Sequence, residues 1–183
     1  VGAGAYSNKH GIGLDDRTAI EMARRGTFLS PTLMVFEPPA PSGAAPRTMQ
    51  AAAAATAAEQ SRRAMATALR HGVRIAFGTD TGVGWPHGAN AREFVLLVGA
   101  GLTPLQAIAS ATTVAAENLG LAGEVGSLAP GKLADLVAVA GDPLADIGAL
   151  QRIDFVMKSG RISKQGGRML APEDWDGDPF AYP

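Results

Sequence analysis

Apolar positions change period several times along the chain, and each change marks a new element. Residues 1–10 are short and glycine-rich and read as the end of a buried strand. Asp15 and Asp16 open a helix, because an Asp side chain accepts hydrogen bonds from free first-turn amides and suits the positive helix end. Ile20 and Ala23 mark its inward face. Arg24-Arg25-Gly26 stops it, with cations at the negative end and then a glycine. Thr27-Phe28-Leu29-Ser30 reads as a strand ended by Pro31. Residues 37–46 hold four prolines and form a loop. The alanine-rich run at 47–71 is expected to be one long helix with Met65 and Leu69 on one face. A low-complexity linker is the alternative there.

Residues 73–77 give the clearest strand pattern, followed by Gly78-Thr79-Asp80-Thr81 and a glycine-rich loop to Asn90. Asn90 and Glu93 resemble a capping box before a helix over 94–98, closed by Gly101. Thr103, Pro104 and Gln106 occupy the N-cap, N1 and N3 places of another helix, which runs to about Asn118 and stops near Gly120. The character changes after Leu121. Residues 126–132 are turn-rich, residues 134–139 and 153–158 read as strands, and Ser159-Gly160 forms a tight turn. The last fifteen residues read as a tail in which Trp175 and Phe180 could dock. Three strand–helix units in succession predict an α/β fold with a parallel sheet and right-handed crossovers. They cannot close a barrel of eight: a full (β/α)8 barrel takes roughly 250 residues, and only about 120 precede the change of character.

The chain has 183 residues, 46% of them hydrophobic and 18% charged, with a formal net charge of −1. That balance excludes most disordered classes and gives no electrostatic case for nucleic acid as a partner. No eighteen-residue uncharged apolar stretch predicts a membrane span. Cysteine is absent, so any metal must be held by His, Asp, Glu or a modified Lys. The sequence opens on Val1 with no signal-peptide pattern. It is read as a fragment or a processed chain, and localisation is left open.

Asp80 directly follows the best strand, where active sites of parallel α/β folds lie. A carboxylate there can bind a cation and take a proton from water, or it can cap the next turn through Thr81 or Gly82. His10 also follows a strand and precedes a glycine; it is either a neutral metal ligand or an ordinary surface histidine. His87, in Trp85-Pro86-His87-Gly88, either binds substrate, or orients Asp80, or bonds to loop backbone. His71, beside Gly72, is assigned to the negative end of the long helix. Arg92 and Glu93 open a helix near the expected mouth; either could touch substrate, with a solvated helix start as the default, and Lys132 and Asp135 read as structural.

Together, Phe77-Gly78-Thr79-Asp80-Thr81-Gly82, Pro86-His87-Gly88, Asn90-Ala91-Arg92-Glu93 and Gly101-Leu102-Thr103-Pro104-Leu105-Gln106-Ala107-Ile108 resemble the last barrel strand and following helices of the amidohydrolase superfamily. Gly126-Ser127-Leu128 through Gly131-Lys132-Leu133-Ala134-Asp135-Leu136-Val137 is similar to that family's return into its small β-sandwich. The imidazolonepropionase-like and prolidase-like branch is the nearest in pattern. The resemblance implies the C-terminal part of a (β/α)8 TIM-like barrel, about strands 6–8 with helices, over residues 1–120. Strands of a small β-sandwich follow over 121–165 and a tail over 166–183.

It further implies a metal-dependent hydrolase of carbon–nitrogen bonds (amide, dipeptide or cyclic amide) acting by metal-activated water on a small-molecule or dipeptide substrate. Asp80 is the implied metal ligand and proton shuttle, His10 the ligand after strand six, and His87 a loop histidine that either faces substrate or supports the metal ligands from behind. The branch usually carries an acidic residue before the first of these histidines; here it is Lys9. One or two divalent ions, zinc foremost, are implied. The family's paired histidines, its carboxylated lysine or glutamate and its strand-five histidine have no counterpart here. A missing N-terminal half or a homo-oligomer would have to complete the site. The alternative is a non-catalytic or degenerate chain serving as an assembly partner. A complete Rossmann-like domain is disfavoured, since no Gly-x-Gly-x-x-Gly follows a strand at the right place.

Overall fold

The computed structural model describes residues 3–37, 51–82 and 85–170. Strand β1 (Ser7–Lys9) leads into helix α1 (Asp16–Arg25), strand β2 (Phe28–Ser30) and a 3-10 turn at Leu33–Phe36. Helix α2 (Ala51–Arg70) then leads into strand β3 (Arg74–Ile75). These strands form a parallel sheet in the order β1-β2-β3, with Lys9 opposite Ser30 and Leu29 opposite Ile75. Helices α3 (Arg92–Gly99), α4 (Pro104–Ala111) and α5 (Thr113–Asn118) follow. Strands β4 (Leu136–Val139), β5 (Ile153–Lys158), β6 (Arg161–Gln165) and β7 (Arg168–Met169) make an antiparallel sheet in chain order. The fold is thus mixed α/β.

Local signals place the helix ends as expected. The Asp15 carboxylate accepts from the Thr18 amide, and Gly26 closes α1 in the left-handed conformation at φ 67°. Thr103 and Gln106 form a full reciprocal capping box on α4. The alanine-rich run is helix from Ala51 to Arg70, which removes the linker alternative for that stretch. The expected loop at 38–46, the helix start at 47–50 and Trp175 with Phe180 lie outside the described residues.

Several expectations change in three dimensions. Strand β1 is not buried, because it is the sheet's edge among the described residues. Ile20 points to solvent at 52% exposure, while Ala19, Met22 and Ala23 face the core. Spacings of three and four put those residues on one stripe, and small alanines allow close approach. The expected strand 73–77 pairs only at Arg74–Ile75. Beyond it Ala76 N–H still donates to Leu29 O, but Phe77 N–H turns to Ser110 O on α4. The helix expected to run through to Asn118 breaks at Thr112, whose φ of −120° and ψ of −93° are not helical. Strand 134–139 shortens to Leu136–Val139, and residues 168–169 of the expected tail pair with β6.

The core lies between the parallel sheet and the helices. Met22 (α1), Leu29 (β2), Met65 and Ala68 (α2), Ile75 (β3) and Leu97 (α3) are buried in one cluster. Ile147 and Leu150, on a 3-10 turn between β4 and β5, join that cluster and tie the second sheet's connection to the first body. At the N-terminal ends of the strands, Arg74 stacks over the Phe28 ring at 4.2 Å and pairs with Glu117 of α5. Among the described residues no helix is long and apolar enough to cross a membrane.

Candidate functional site

The C-terminal ends of the three parallel strands carry a concentration of unusual backbone. Of the non-glycine residues described, four have positive φ: His10 (65°), Thr32 (50°), Asp80 (49°) and Ser159 (50°). The first three lie just past the ends of β1, β2 and β3. A left-handed L-residue costs roughly 1–2 kcal/mol, and a β-branched one such as Thr32 is a true outlier. Ser159 has a simple turn explanation beside Gly160. The other three are held by surrounding structure, which is where function is sought.

The side chains there meet. His10 Nε2 lies 3.5 Å from Asp80 Oδ2, and both residues are substantially open to solvent. The other ring nitrogen, Nδ1, is 2.5 Å from Thr32 Oγ1. The Thr32 hydroxyl donates its one proton to Pro31 O at 2.8 Å, so Oγ1 accepts from the ring and Nδ1 carries the hydrogen. Nε2 then presents a lone pair toward the Asp80 carboxylate. Two electron-rich atoms so placed call for a positive species between them, either a proton on Nε2 or a metal ion. Phe36 stands edge-on to the imidazole with centroids 6.0 Å apart and limits its tilt.

The separation suits a shared ion. Bonds of about 2.1 Å in tetrahedral geometry put two ligand atoms about 3.4 Å apart. His10 and Asp80 therefore fit two places of a divalent shell, with oxygen and imidazole donors that suit zinc. Among the described residues no group of three or more His, Cys, Asp or Glu could hold a metal, so this pair supplies part of a shell and not a closed site.

Asp80 does not take the Thr81 or Gly82 amide. Thr81 N–H goes to Thr79 Oγ1 at 3.3 Å and Gly82 N–H to Trp85 O at 2.7 Å. Asn90 Nδ2 braces the loop through Thr79 Oγ1 (3.4 Å) and Thr81 Oγ1 (3.1 Å). His87 is exposed and packs over Gly82, where an added Cβ would meet its ring at 3.4 Å. It sits in the Asp80 loop but shows no bond to Asp80. Gly78 is required by packing: a Cβ there would collide with Ser30 Oγ and touch Thr32 Cγ2 at 3.5 Å. His71 Nε2 bonds Asp16 Oδ1 at 2.8 Å, away from these strand ends. Lys132 ties its turn to Ala122 O and Val125 O, and Asp135 anchors Lys158 and the Ser159 amide.

Glu93 and Arg92 depart from the expected solvated helix start, and the Asn90–Glu93 capping box does not form. Arg92 pairs with Glu37 through two bonds of 3.1 Å. Glu93 is fully buried, and its two carboxylate oxygens accept from Leu33 N–H (2.8 Å) and Met34 N–H (2.9 Å). Burial drives its pKa up to about 7 against those two bonds, with smaller upward pushes from Glu37 and Asp80. Thr32 was not singled out from sequence, and Glu93 was singled out only as a helix start, not as a buried acceptor. The available signal for Glu93 was its spacing of four from Leu97, which lies on the same buried stripe of α3.

Comparison with known proteins supplies the family. The Amidohydrolase family matches residues 3–163. An uncharacterized protein of Mycobacterium tuberculosis is 34% identical over 163 residues, covering 88% of this chain and 43% of its own length. A solved Xaa-Pro dipeptidase with bound methionine in its active site is 34% identical with a TM-score of 0.78, over 89% of this chain and 41% of that one. The ochratoxinase of Aspergillus niger is 30% identical in its crystal structure with a TM-score of 0.74, over 89% of this chain and 38% of that one. The chain thus spans about two fifths of the length of these relatives. The matched span, the similar solved structures and the resemblance read from the Asp80 loop agree, and the chain belongs to the amidohydrolase family.

Proposed function

We propose that this chain supplies the C-terminal part of a metal-dependent hydrolase that cleaves carbon–nitrogen bonds. Residues 1–120 would correspond to about strands 6–8 of the barrel, residues 121–165 to part of the β-sandwich, and 166–183 to a tail. The observation that carries the reading is the facing pair His10 Nε2 and Asp80 Oδ2, 3.5 Å apart at the ends of two parallel strands. The solved Xaa-Pro dipeptidase favours a dipeptide or similar small amide as substrate.

His10 and Asp80 would hold one divalent ion, zinc foremost, with further ligands and any second ion coming from a preceding half or another copy. Such an ion supplies Lewis acidity that polarises the scissile carbonyl and acidifies water. Asp80 takes the proton released as the water oxygen bonds to the carbonyl carbon. It returns that proton to the nitrogen as the C–N bond breaks, and the amine leaves neutral. Thr32 keeps hydrogen on His10 Nδ1, so that Nε2 stays free to bind. His87, exposed in the same loop, would face substrate or support Asp80 from behind.

The test is turnover of Xaa-Pro dipeptides by the complete gene product. Asp80→Ala should lower kcat by at least 1,000-fold, on the order of the loss seen when a unit of a catalytic group is removed. Retained activity removes Asp80 from this role. A second reading, a non-catalytic assembly partner, draws on the presence of two facing ligands and no third among the described residues. A complete, metal-loaded gene product with no amidolytic activity would favour it.

A further inference from the structure

We infer that Glu93 is a positioning residue for the His10–Asp80 pair, acting through Thr32; this rests on the reading of that pair as the chemical centre. Glu93 belongs to α3, some sixty residues beyond the amides it holds. Its carboxylate spans both Leu33 N–H and Met34 N–H, the first two amides after Thr32. Those amides open the 3-10 turn Leu33–Phe36, and no residue of that turn's own N-terminus caps it: Thr32 makes no side-chain capping bond. Glu93 is therefore the acceptor that fixes where the turn begins.

Fixing that point fixes Thr32. At φ 50° and ψ 51°, Thr32 is in a conformation a β-branched residue avoids. Pro31 precedes it and the clamped amides of residues 33 and 34 follow it. Between those two constraints the Thr32 hydroxyl is aimed at His10 Nδ1 and Pro31 O at once. The same turn carries Phe36 against the imidazole edge. Glu93 thus controls both contacts that decide how the ring is turned and which nitrogen is bare. A neutral residue in its place loses one of the two acceptors, leaves one buried amide unpaired and lets Thr32 relax.

A plain core role for Glu93 would affect stability and nothing else, so the test reads the His10 ring. Ring 15N resonances of His10 and His71 are measured by long-range proton–nitrogen NMR on the 183-residue chain near pH 8.5, about two units above an ordinary imidazole pKa. In the wild type, His10 should show a protonated Nδ1 and a bare Nε2. Glu93→Gln and Thr32→Val should both move the His10 pair toward tautomer averaging. Thr32→Ser, which keeps Oγ1, should restore the wild-type pattern, and His71, bonded to Asp16, should stay unchanged throughout.

Should Glu93→Gln fail to fold, Glu93→Asp, with the carboxylate drawn back by one methylene, takes its place with the same expectation. Unchanged His10 resonances in the folded Glu93 variant overturn the inference, as does a wild-type His10 protonated at Nε2. Zinc titrated into the complete gene product, where the further ligands are present, tests the metal reading separately. If zinc moves no resonance at His10 or Asp80, that reading fails while the Glu93 result stands. If zinc binds, Glu93→Gln should weaken it by roughly 10-fold or more, as loss of a residue that orients a ligand does.

Discussion

Glu93 should make folding stability depend on pH in a direction opposite to most carboxylates. Burial raises its pKa to about 7 in the folded chain from 4.5 when exposed. Between those values the folded chain binds a proton that the unfolded chain has released, so stability is greatest at low pH and falls as pH rises. Above the folded pKa both states are ionised and the effect levels off. A difference of this size amounts to roughly 3 kcal/mol, a large part of the roughly 5–15 kcal/mol that holds a domain folded.

The paired carboxylates Asp15, Asp16, Glu21 and Glu59 sit below their ordinary range, chiefly through side-chain hydrogen bonds, and act the other way in acid. The informative quantity is therefore the difference between wild type and Glu93→Gln, measured by urea unfolding from pH 4.5 to 8.5. Wild type should lose stability relative to the variant across that window, by as much as about 3 kcal/mol, and the difference should be flat above pH 8. Parallel curves, or a wild type that gains on the variant as pH rises, would refute the argument that burial dominates this carboxyl.

Other outcomes are open to direct measurement. Met65→Ala removes a fully buried side chain between α2 and the sheet, and should cost about 2–5 kcal/mol in chemical unfolding; a cost under 1 kcal/mol would mean the described core is not the one that holds the chain together. Thr103→Ala deletes half of a reciprocal capping box on an exposed helix start and should cost about 1 kcal/mol with no change in denaturant dependence. The 183-residue chain alone should bind zinc only weakly, because two facing ligands do not close a shell. Stoichiometric tight zinc in dialysed protein would show that further ligands come from within this chain.

Local chemistry made much of this protein legible from sequence. The cap at Asp15, the glycine stop at Gly26 and the box at Thr103 and Gln106 involve residues within a few positions of one another, and each formed as read. Strand β5 has the bounds expected, and the family follows from short motifs around Asp80. Periodicity fared less well where two stripes competed. Ile20 is the larger apolar residue, but the helix turned Ala19 and Met22 inward, because close approach to its neighbours favours small and flexible side chains.

The site itself was decided by tertiary structure. Sequence put His10 and Asp80 each after a strand, seventy positions apart, and left both with bland alternatives. Parallel pairing of β1, β2 and β3 brings the three strand ends level, which lets Nε2 and Oδ2 face each other. Thr32 carries no motif of its own, and the motifs around Glu93 pointed to a helix start and not to a buried clamp. Their roles depend on a left-handed backbone and on a carboxylate reaching a turn some sixty residues earlier, and both are long-range consequences of packing α3 against the end of β2. Sequence determines what lies within one or two turns of chain, because those contacts need no other element. Which strand ends meet, and which buried charge holds them, is set only when the elements pack.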